Sequence, residues 1–287
     1  MSRDPARHRC GVVALLGRPN AGKSTLLNAL LGQKIAITSP RAQTTRSRIL
    51  GVVHRPGAQL LFHDTPGVNR SQARFNLALT EAALRSAEDA DVRVLLFDAR
   101  AVWDTPEERV ASLGAPLIAV RTKCDLGSPG GMPNPERFDS VLEVSAATGS
   151  GIEALLEALI EHLPESPALY PEDALTDRSL RFLACELIRE VAFELLRDEL
   201  PYSLGAEVLE WNEADEDLRI RANLLVERDS QKGIVVGDAG RMLRELGTEA
   251  RRRIAELVGK RVHLKLWVKT DRNWTRRLKR ARELGYL

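Results

Sequence analysis

The chain has 287 residues, of which 44% are hydrophobic and 29% charged, with a formal net charge of +2. That length fits two domains of ordinary size, and the composition excludes a disordered or fibrous chain. The first apolar run, Val12 to Leu16, is far too short for a signal or a membrane span, and three scattered cysteines (Cys10, Cys124, Cys185) without CxxC spacing suggest neither a disulfide framework nor a zinc site, so a reducing cytoplasm is expected.

From Cys10 onward, short apolar runs alternate with helical patterns, which predicts βα units of a mixed, mostly parallel sheet in an α/β domain. Strands are expected at 12–16, 48–53, 59–63, 93–97, 116–120 and 141–144. The turn at 54–58, with Pro56 and Gly57, joins the second and third as a hairpin and so makes one antiparallel edge. A helix at 151–163 closes the unit. Pro164, Pro167 and Pro171 then break the periodicity, which places a linker there. A helix (179–197), two strands (203–211 and 218–227), a helical region (230–258), a strand (263–269) and a last helix predict a second, α+β domain. The expected boundaries are 8–165, a linker at 166–178, and 179–287.

Directly after the first strand stands Gly17-Arg18-Pro19-Asn20-Ala21-Gly22-Lys23-Ser24, with Thr25 following at the head of a helix. This is a complete G-x-x-x-x-G-K-[ST] phosphate loop. Its glycines let backbone N–H groups curl around phosphate oxygens, Lys23 reaches the β and γ phosphates, and Ser24 offers a hydroxyl to Mg²⁺.

Some forty residues on, a strand ends in Asp64-Thr65-Pro66-Gly67, a D-x-x-G pattern at Ras-like spacing. Asp64 is expected to hold Mg²⁺ through water, and the Gly67 N–H to meet the γ-phosphate. Between the two motifs, Gln43-Thr44-Thr45-Arg46 supplies a threonine for the Mg²⁺ shell; two adjacent threonines leave the choice open, with Thr45 favoured. Lys23, Thr45 and Gly67 are thus the candidate catalytic residues.

Thr122-Lys123-Cys124-Asp125 follows one apolar strand and Ser145-Ala146 the next. A carboxylate at Asp125 can accept from N1–H and the N2 amino group of guanine, whereas adenine offers an acceptor at N1 and no amino group at C2. Lys123 is expected across the base and the Ala146 N–H on guanine O6. Thr122 stands where asparagine is commoner, and its hydroxyl can brace the phosphate loop with fewer bonds. After Gly67 comes Val68, where Ras-like proteins place a water-orienting glutamine, so slow intrinsic hydrolysis is expected. His63 reads as a strand residue rather than a base.

With these residues placed, the chain resembles the Era GTPases of bacterial ribosome assembly. GRPNAGKSTL, AQTTR and DTPG match that family's G domain, while ELPYS (199–203), VERDSQKGIVVG (226–237) and LWVK (266–269) match its C-terminal type II KH domain. The resemblance spans about residues 9 to 286. It implies GTP hydrolysis, binding of the 3′ end of small-subunit (16S) ribosomal RNA, a role in 30S assembly, and a GTP state that favours RNA binding. It also implies K⁺-stimulated turnover with Asn20 as the potassium ligand. A monomer is expected.

The RNA chemistry falls on Gly237-Asp238-Ala239-Gly240, a G-x-x-G between helical segments, flanked by Lys232, Arg241, Arg244 and Arg251 to Arg253. On spacing alone this is more ordinarily a helix–helix turn; in KH domains such a loop clamps a four-nucleotide backbone stretch. Asp238 puts a carboxylate where a phosphate should approach, a repulsion that Lys232 or Arg241 would have to neutralise. Residues 171–227 hold 6 Lys/Arg against 15 Asp/Glu (net −9), and residues 228–287 hold 17 against 7 (net +10). That basic end suits RNA or, alternatively, a protein partner or the inner face of the cell membrane as a peripheral site. Trp103, Trp211, Trp267 and Trp274 are expected to pack fully or partly. Only Trp274, set in a basic helix, is a candidate for stacking on a base. The short Gly/Pro-rich stretch between Asp125 and Val141 suggests that a helix usual there is missing or reduced.

Overall fold

A computed structural model describes residues 8–38, 48–68, 74–114, 116–127, 134–198 and 200–286. These divide into two units, 8–36 with 48–177, and 37–38 with 178–286.

The first unit contains β1 (Arg9–Gly17), α1 (Lys23–Leu31), β2 (Ile49–Arg55), β3 (Ala58–Asp64), α2 (Arg74–Glu88), β4 (Val92–Asp98), α3 (Thr105–Ala111), β5 (Leu117–Thr122), β6 (Ser140–Val144) and α4 (Ile152–His162). One six-stranded sheet runs β2-β3-β1-β4-β5-β6, with only the β2–β3 hairpin antiparallel. The central strands are near-continuous apolar runs because helices cover both faces of a parallel sheet. Val13 to Leu16 and Val94 to Leu96 are fully buried, and parallel pairing sets the C-terminal ends of β1, β3, β4 and β5 along one edge. Loops leaving that edge carry the candidate site, as expected for an α/β sheet.

Local caps agree with the sequence. Asp104 accepts from the Thr105 N–H ahead of α3, with Pro106 in its first turn. The expected linker departs from the pattern: residues 166–177 belong to the first unit. The buried Gln59 amide accepts from the Leu169 N–H (2.7 Å) and Tyr170 N–H (3.0 Å) and donates to the Tyr170 carbonyl (2.8 Å), while the Val52 N–H donates to Leu175 (2.9 Å). One side chain thus satisfies two N–H groups and a carbonyl of a segment that forms no helix or strand of its own. Between β5 and β6, residues 128–133 lie outside the described residues, and 135–137 form a single 3₁₀ turn.

The second unit contains α5 (Leu180–Leu195), α6 (Leu200–Ser203), β7 (Gly205–Glu213), β8 (Asp217–Val226), α7 (Asp229–Val236), α8 (Arg241–Val258), β9 (Arg261–Thr270) and α9 (Leu278–Glu283). Its sheet runs β7-β8-β9, antiparallel then parallel. This is the type II KH arrangement. Ser179 caps α5 by accepting from the Phe182 N–H. Leu187, Ile188 and Val191 of α5, Leu246, Ala250 and Ile254 of α8, and the inward residues of β8 form one core.

Trp274 reverses its expectation. It sits in a 3₁₀ turn, fully buried, with its indole N–H donating to the Ser203 carbonyl at 2.9 Å and its ring against Tyr286. No base can reach it.

Candidate nucleotide and RNA-binding sites

The phosphate loop is shaped by backbone that only certain residues tolerate. Gly17 has φ 140°, and a Cβ there would lie 2.2 Å from the Leu96 carbonyl oxygen. Gly22, at φ 94°, ends the loop and starts α1 without a side-chain cap, so the N–H groups of the first turn point at the loop's concavity. Asn20, at φ 65°, is exposed at the turn; Arg18 is drawn aside by Glu107 at 2.5 and 2.8 Å. Lys23 is buried, and its ammonium donates to the carbonyls of Gly17 (3.2 Å) and Arg18 (2.8 Å). Burial lowers it to about 8, a shift opposed by the Asp64 carboxylate.

Around that loop the other motifs converge. The Ser24 hydroxyl donates to Asp64 Oδ2 at 2.6 Å. Thr65 is buried and donates to the Leu15 carbonyl at 2.7 Å, which ties the Asp64 to Gly67 turn to the end of β1. A Cβ on Gly67 would meet the Pro19 nitrogen at 2.5 Å, so the two loops touch through backbone. Pro66 lies between these anchors. Thr45 lies outside the described residues. Val68 is 1% exposed within an apolar cluster of Ala14, Leu16 and Ala83, and its N–H donates to the Gly17 carbonyl at 3.0 Å. Burial, aided by Arg48, lowers His63 to about 4, and its neutral ring hydrogen-bonds Ser86 at 3.1 Å.

On the guanine side, the Thr122 hydroxyl donates to the Ala21 carbonyl at 2.7 Å. The hydroxyl therefore braces the phosphate loop as its chemistry allows. Lys123, at φ 61°, donates to the Asn20 carbonyl (2.9 Å) and to Asp98 Oδ2 (2.8 Å). Although burial opposes it, hydrogen bonds from Arg100 and Lys123 hold the Asp98 carboxyl well below the usual carboxylate range. Sequence reasoning missed Asp98; the available signal was an aspartate ending β4 at the same sheet edge. Asp125 is exposed in the following 3₁₀ turn, Ser145 is buried with its hydroxyl accepting from the Thr148 N–H, and Ala146 is half-buried beside it.

Two parts of the chain match family models, a 50S ribosome-binding GTPase at residues 12–123 and a KH domain at 199–275. The GTPase Era of Geobacter metallireducens is 40% identical over 299 residues, covering 100% of both chains, and that of Nitratidesulfovibrio vulgaris (strain Miyazaki F) is 42% identical over 97% of each. The chain belongs to the Era GTPase family. The solved Era complex with MgGDPNP and nucleotides 1506–1542 of 16S ribosomal RNA matches with a TM-score of 0.90 at 36% identity, over 97% of this chain and 99% of that one. A point variant of Aquifex aeolicus Era bound to GDP·AlF₄⁻ matches with a TM-score of 0.91 at 37% identity, over the same shares.

The Era-type KH loop is equally shaped by backbone. Gly237, Ala239 and Gly240 have φ of 70°, 47° and 77°, and a Cβ on Gly237 would sit 2.6 Å from that of Met242. Gly240 caps α8 without a side chain, which leaves its first N–H groups open. Gly240, Leu243, Arg244, Gly247, Thr248 and Arg251 border a cleft closed by Leu264 and Leu266 of β9. Asp238 is exposed and, among the described residues, forms no ion pair with Lys232 or Arg241, both also exposed. The basic flank is smaller than its sequence suggests. Arg252 pairs with Glu249 and Glu256, and Arg253 with Glu190, Glu194 and Glu249.

Proposed function

We propose that this Era-family GTPase holds the 3′ end of 16S ribosomal RNA through its KH unit and acts as a slow GTP-hydrolysing switch in 30S subunit assembly. What carries the reading is the pairing of a guanine-type site with the loop of Gly237 to Gly240, whose positive-φ backbone opens the start of α8 beside a cleft.

The nucleotide phosphates would lie in the N–H cradle of residues 17–25. Lys23 exchanges its two carbonyl acceptors for phosphate oxygens, a charge-assisted gain. The Ser24 hydroxyl and Asp64 carboxylate, 2.6 Å apart, are hard oxygen donors in the small number that suits Mg²⁺, with Thr45 as the further ligand. When bound, that ion neutralises charge developing on the β and γ phosphates. Asp125 reads guanine, Lys123 lies across the base, and Ser145 presents the Ala146 N–H. The Gly67 N–H reports the γ-phosphate. Val68 has no polar side-chain group and no path to water, so water is not oriented from that position. Asn20 offers a carboxamide oxygen at the exposed turn as a potassium ligand.

Three free cysteines suit a reducing cytoplasm, and the reading takes the protein as a monomer there. Separately, among the described residues no helix is long and apolar enough to cross a membrane. The test is RNA crosslinking with sequence mapping in the GTP- and GDP-bound states, alongside GTP turnover in KCl and NaCl at matched ionic strength. Crosslinks at the 16S 3′ end that depend on nucleotide, with turnover below about 1 s⁻¹ and faster in KCl, are expected. Nucleotide-independent crosslinks would leave two tethered binders rather than a switch.

A further inference from the structure

β9 is an edge strand and alternates strictly. Val262, Leu264, Leu266 and Val268 turn toward the core and the cleft, whereas His263, Lys265, Trp267 and Lys269 turn outward and are all exposed. On that outer side β8 contributes Arg219 beside His263 and Arg221 beside Lys265. Trp267 keeps 40% of its surface in solvent, and the Arg221 guanidinium lies 5.0 Å from its ring centroid. Lys265 and Lys269 flank the ring at i−2 and i+2, each about 6.6 Å along the strand.

The charges on this face are unevenly matched. Arg221 pairs with Glu210 and Arg261 with Asp217, while Glu207 is taken up by Arg280 and Asn223 and reaches Lys269 only at 3.8 Å. Arg219 and Lys265 have no acidic partner among the described residues. A row of cations around an exposed aromatic plane is the chemistry that tracks a single strand, with phosphates on the cations and a base on the ring. The face also adjoins the cleft. Leu264 and Leu266 wall the cleft, and Lys265 and Trp267 stand on the opposite side of the same unpaired edge.

We propose that the outer face of the β7-β8-β9 sheet, with Trp267 as stacking platform and Arg219, Lys265 and Lys269 as phosphate contacts, binds single-stranded RNA that continues from the cleft across the β9 edge. This rests on the RNA role of the Gly237 to Gly240 loop. The cleft holds about four nucleotides, so a longer strand must leave it, and the β9 edge is the exit that offers both cations and a ring.

The test uses the full chain with two RNAs: nucleotides 1506–1542 of 16S ribosomal RNA, and an oligonucleotide of about five residues cut from its 3′ part. Trp267→Ala, and separately Arg219→Glu with Lys265→Glu, should weaken the long RNA about tenfold or more and leave the short one unchanged. Trp267→Phe should keep most of the long-RNA affinity. Arg219→Gln and Lys265→Gln should each flatten the log–log salt slope for the long RNA by about 0.7. The charge variants lie on exposed positions, and unchanged GDP binding and circular dichroism confirm their fold. Unchanged long-RNA affinity in these variants overturns the proposal, as does an equal loss on both RNAs. So does an effect seen only on anionic phosphatidylglycerol vesicles. Gly240→Asp separates the two readings: it should lose both RNAs, a Gly240→Asp variant that keeps both while Trp267→Ala loses only the long one overturns the clamp reading alone, and a wild type that binds neither RNA overturns both.

Discussion

The Thr122 hydroxyl donates to the Ala21 carbonyl at 2.7 Å and lies 3.1 Å from that of Phe97, so the start of the guanine motif is fastened to the phosphate loop by one buried group. Thr122→Val keeps the shape and removes the donor, leaving the buried Ala21 carbonyl without it. Such a loss costs about 1–3 kcal/mol. Isothermal titration with GDP should show affinity reduced by roughly five- to 150-fold, with the fold retained.

Asp125 is the one acidic side chain of the guanine motif, exposed where a base can reach it. Asp125→Asn gives up two charge-assisted bonds, about 1.5–3 kcal/mol each, and presents an amide donor where guanine has an amino group. GTP binding should fall at least about a hundredfold. Xanthosine triphosphate, with a carbonyl at that position, should bind the variant better than the wild type; the reverse order would remove Asp125 from the role.

At the mouth of the RNA loop, Asp238 stands without a counter-ion among the described residues. Asp238→Asn should tighten binding of the 16S 3′ segment severalfold, and Asp238→Lys should steepen the log–log salt slope by about 0.7. Filter binding between roughly 50 and 200 mM salt reads both. No change would place the phosphates away from Asp238.

Burial, reinforced by the Glu186 carboxylate, pushes the Cys185 thiol up to about 12 from an ordinary 9.0. The folded value lies above the unfolded one, so the contribution to stability is whole below about pH 9 and is lost as pH rises toward 12. Urea unfolding of wild type and Cys185→Ala at about pH 8, 9 and 10 should show a steeper alkaline decline in the wild type, by up to about 1.4 kcal/mol per pH unit. Parallel slopes would mean that the thiol titrates normally.

Much of the G domain was legible because its chemistry is written in contiguous strings. Gly17 to Ser24, Asp64 to Gly67 and Thr122 to Asp125 each follow a strand, and parallel pairing alone brings the three ends together. What escaped reading depends on pairs distant in sequence. Asp98 matters through Lys123, 25 residues on. The proline-rich stretch reads as a linker because the Gln59 amide that holds it is 110 and 111 residues away. Trp274 lies in a run of arginines, and only the Ser203 carbonyl and the Tyr286 ring reveal that it faces inward. Arg252 and Arg253 count toward a basic patch until their glutamates are located in space.

Val68 has one more consequence. Its side chain is sealed among Ala14, Leu16 and Ala83, and its N–H is committed to Gly17. A glutamine at 68 would bring an amide into that apolar setting at a cost of about 1–3 kcal/mol. The position after Gly67 is thus closed to polar side chains by packing, and the substitutions it tolerates are apolar ones of similar volume.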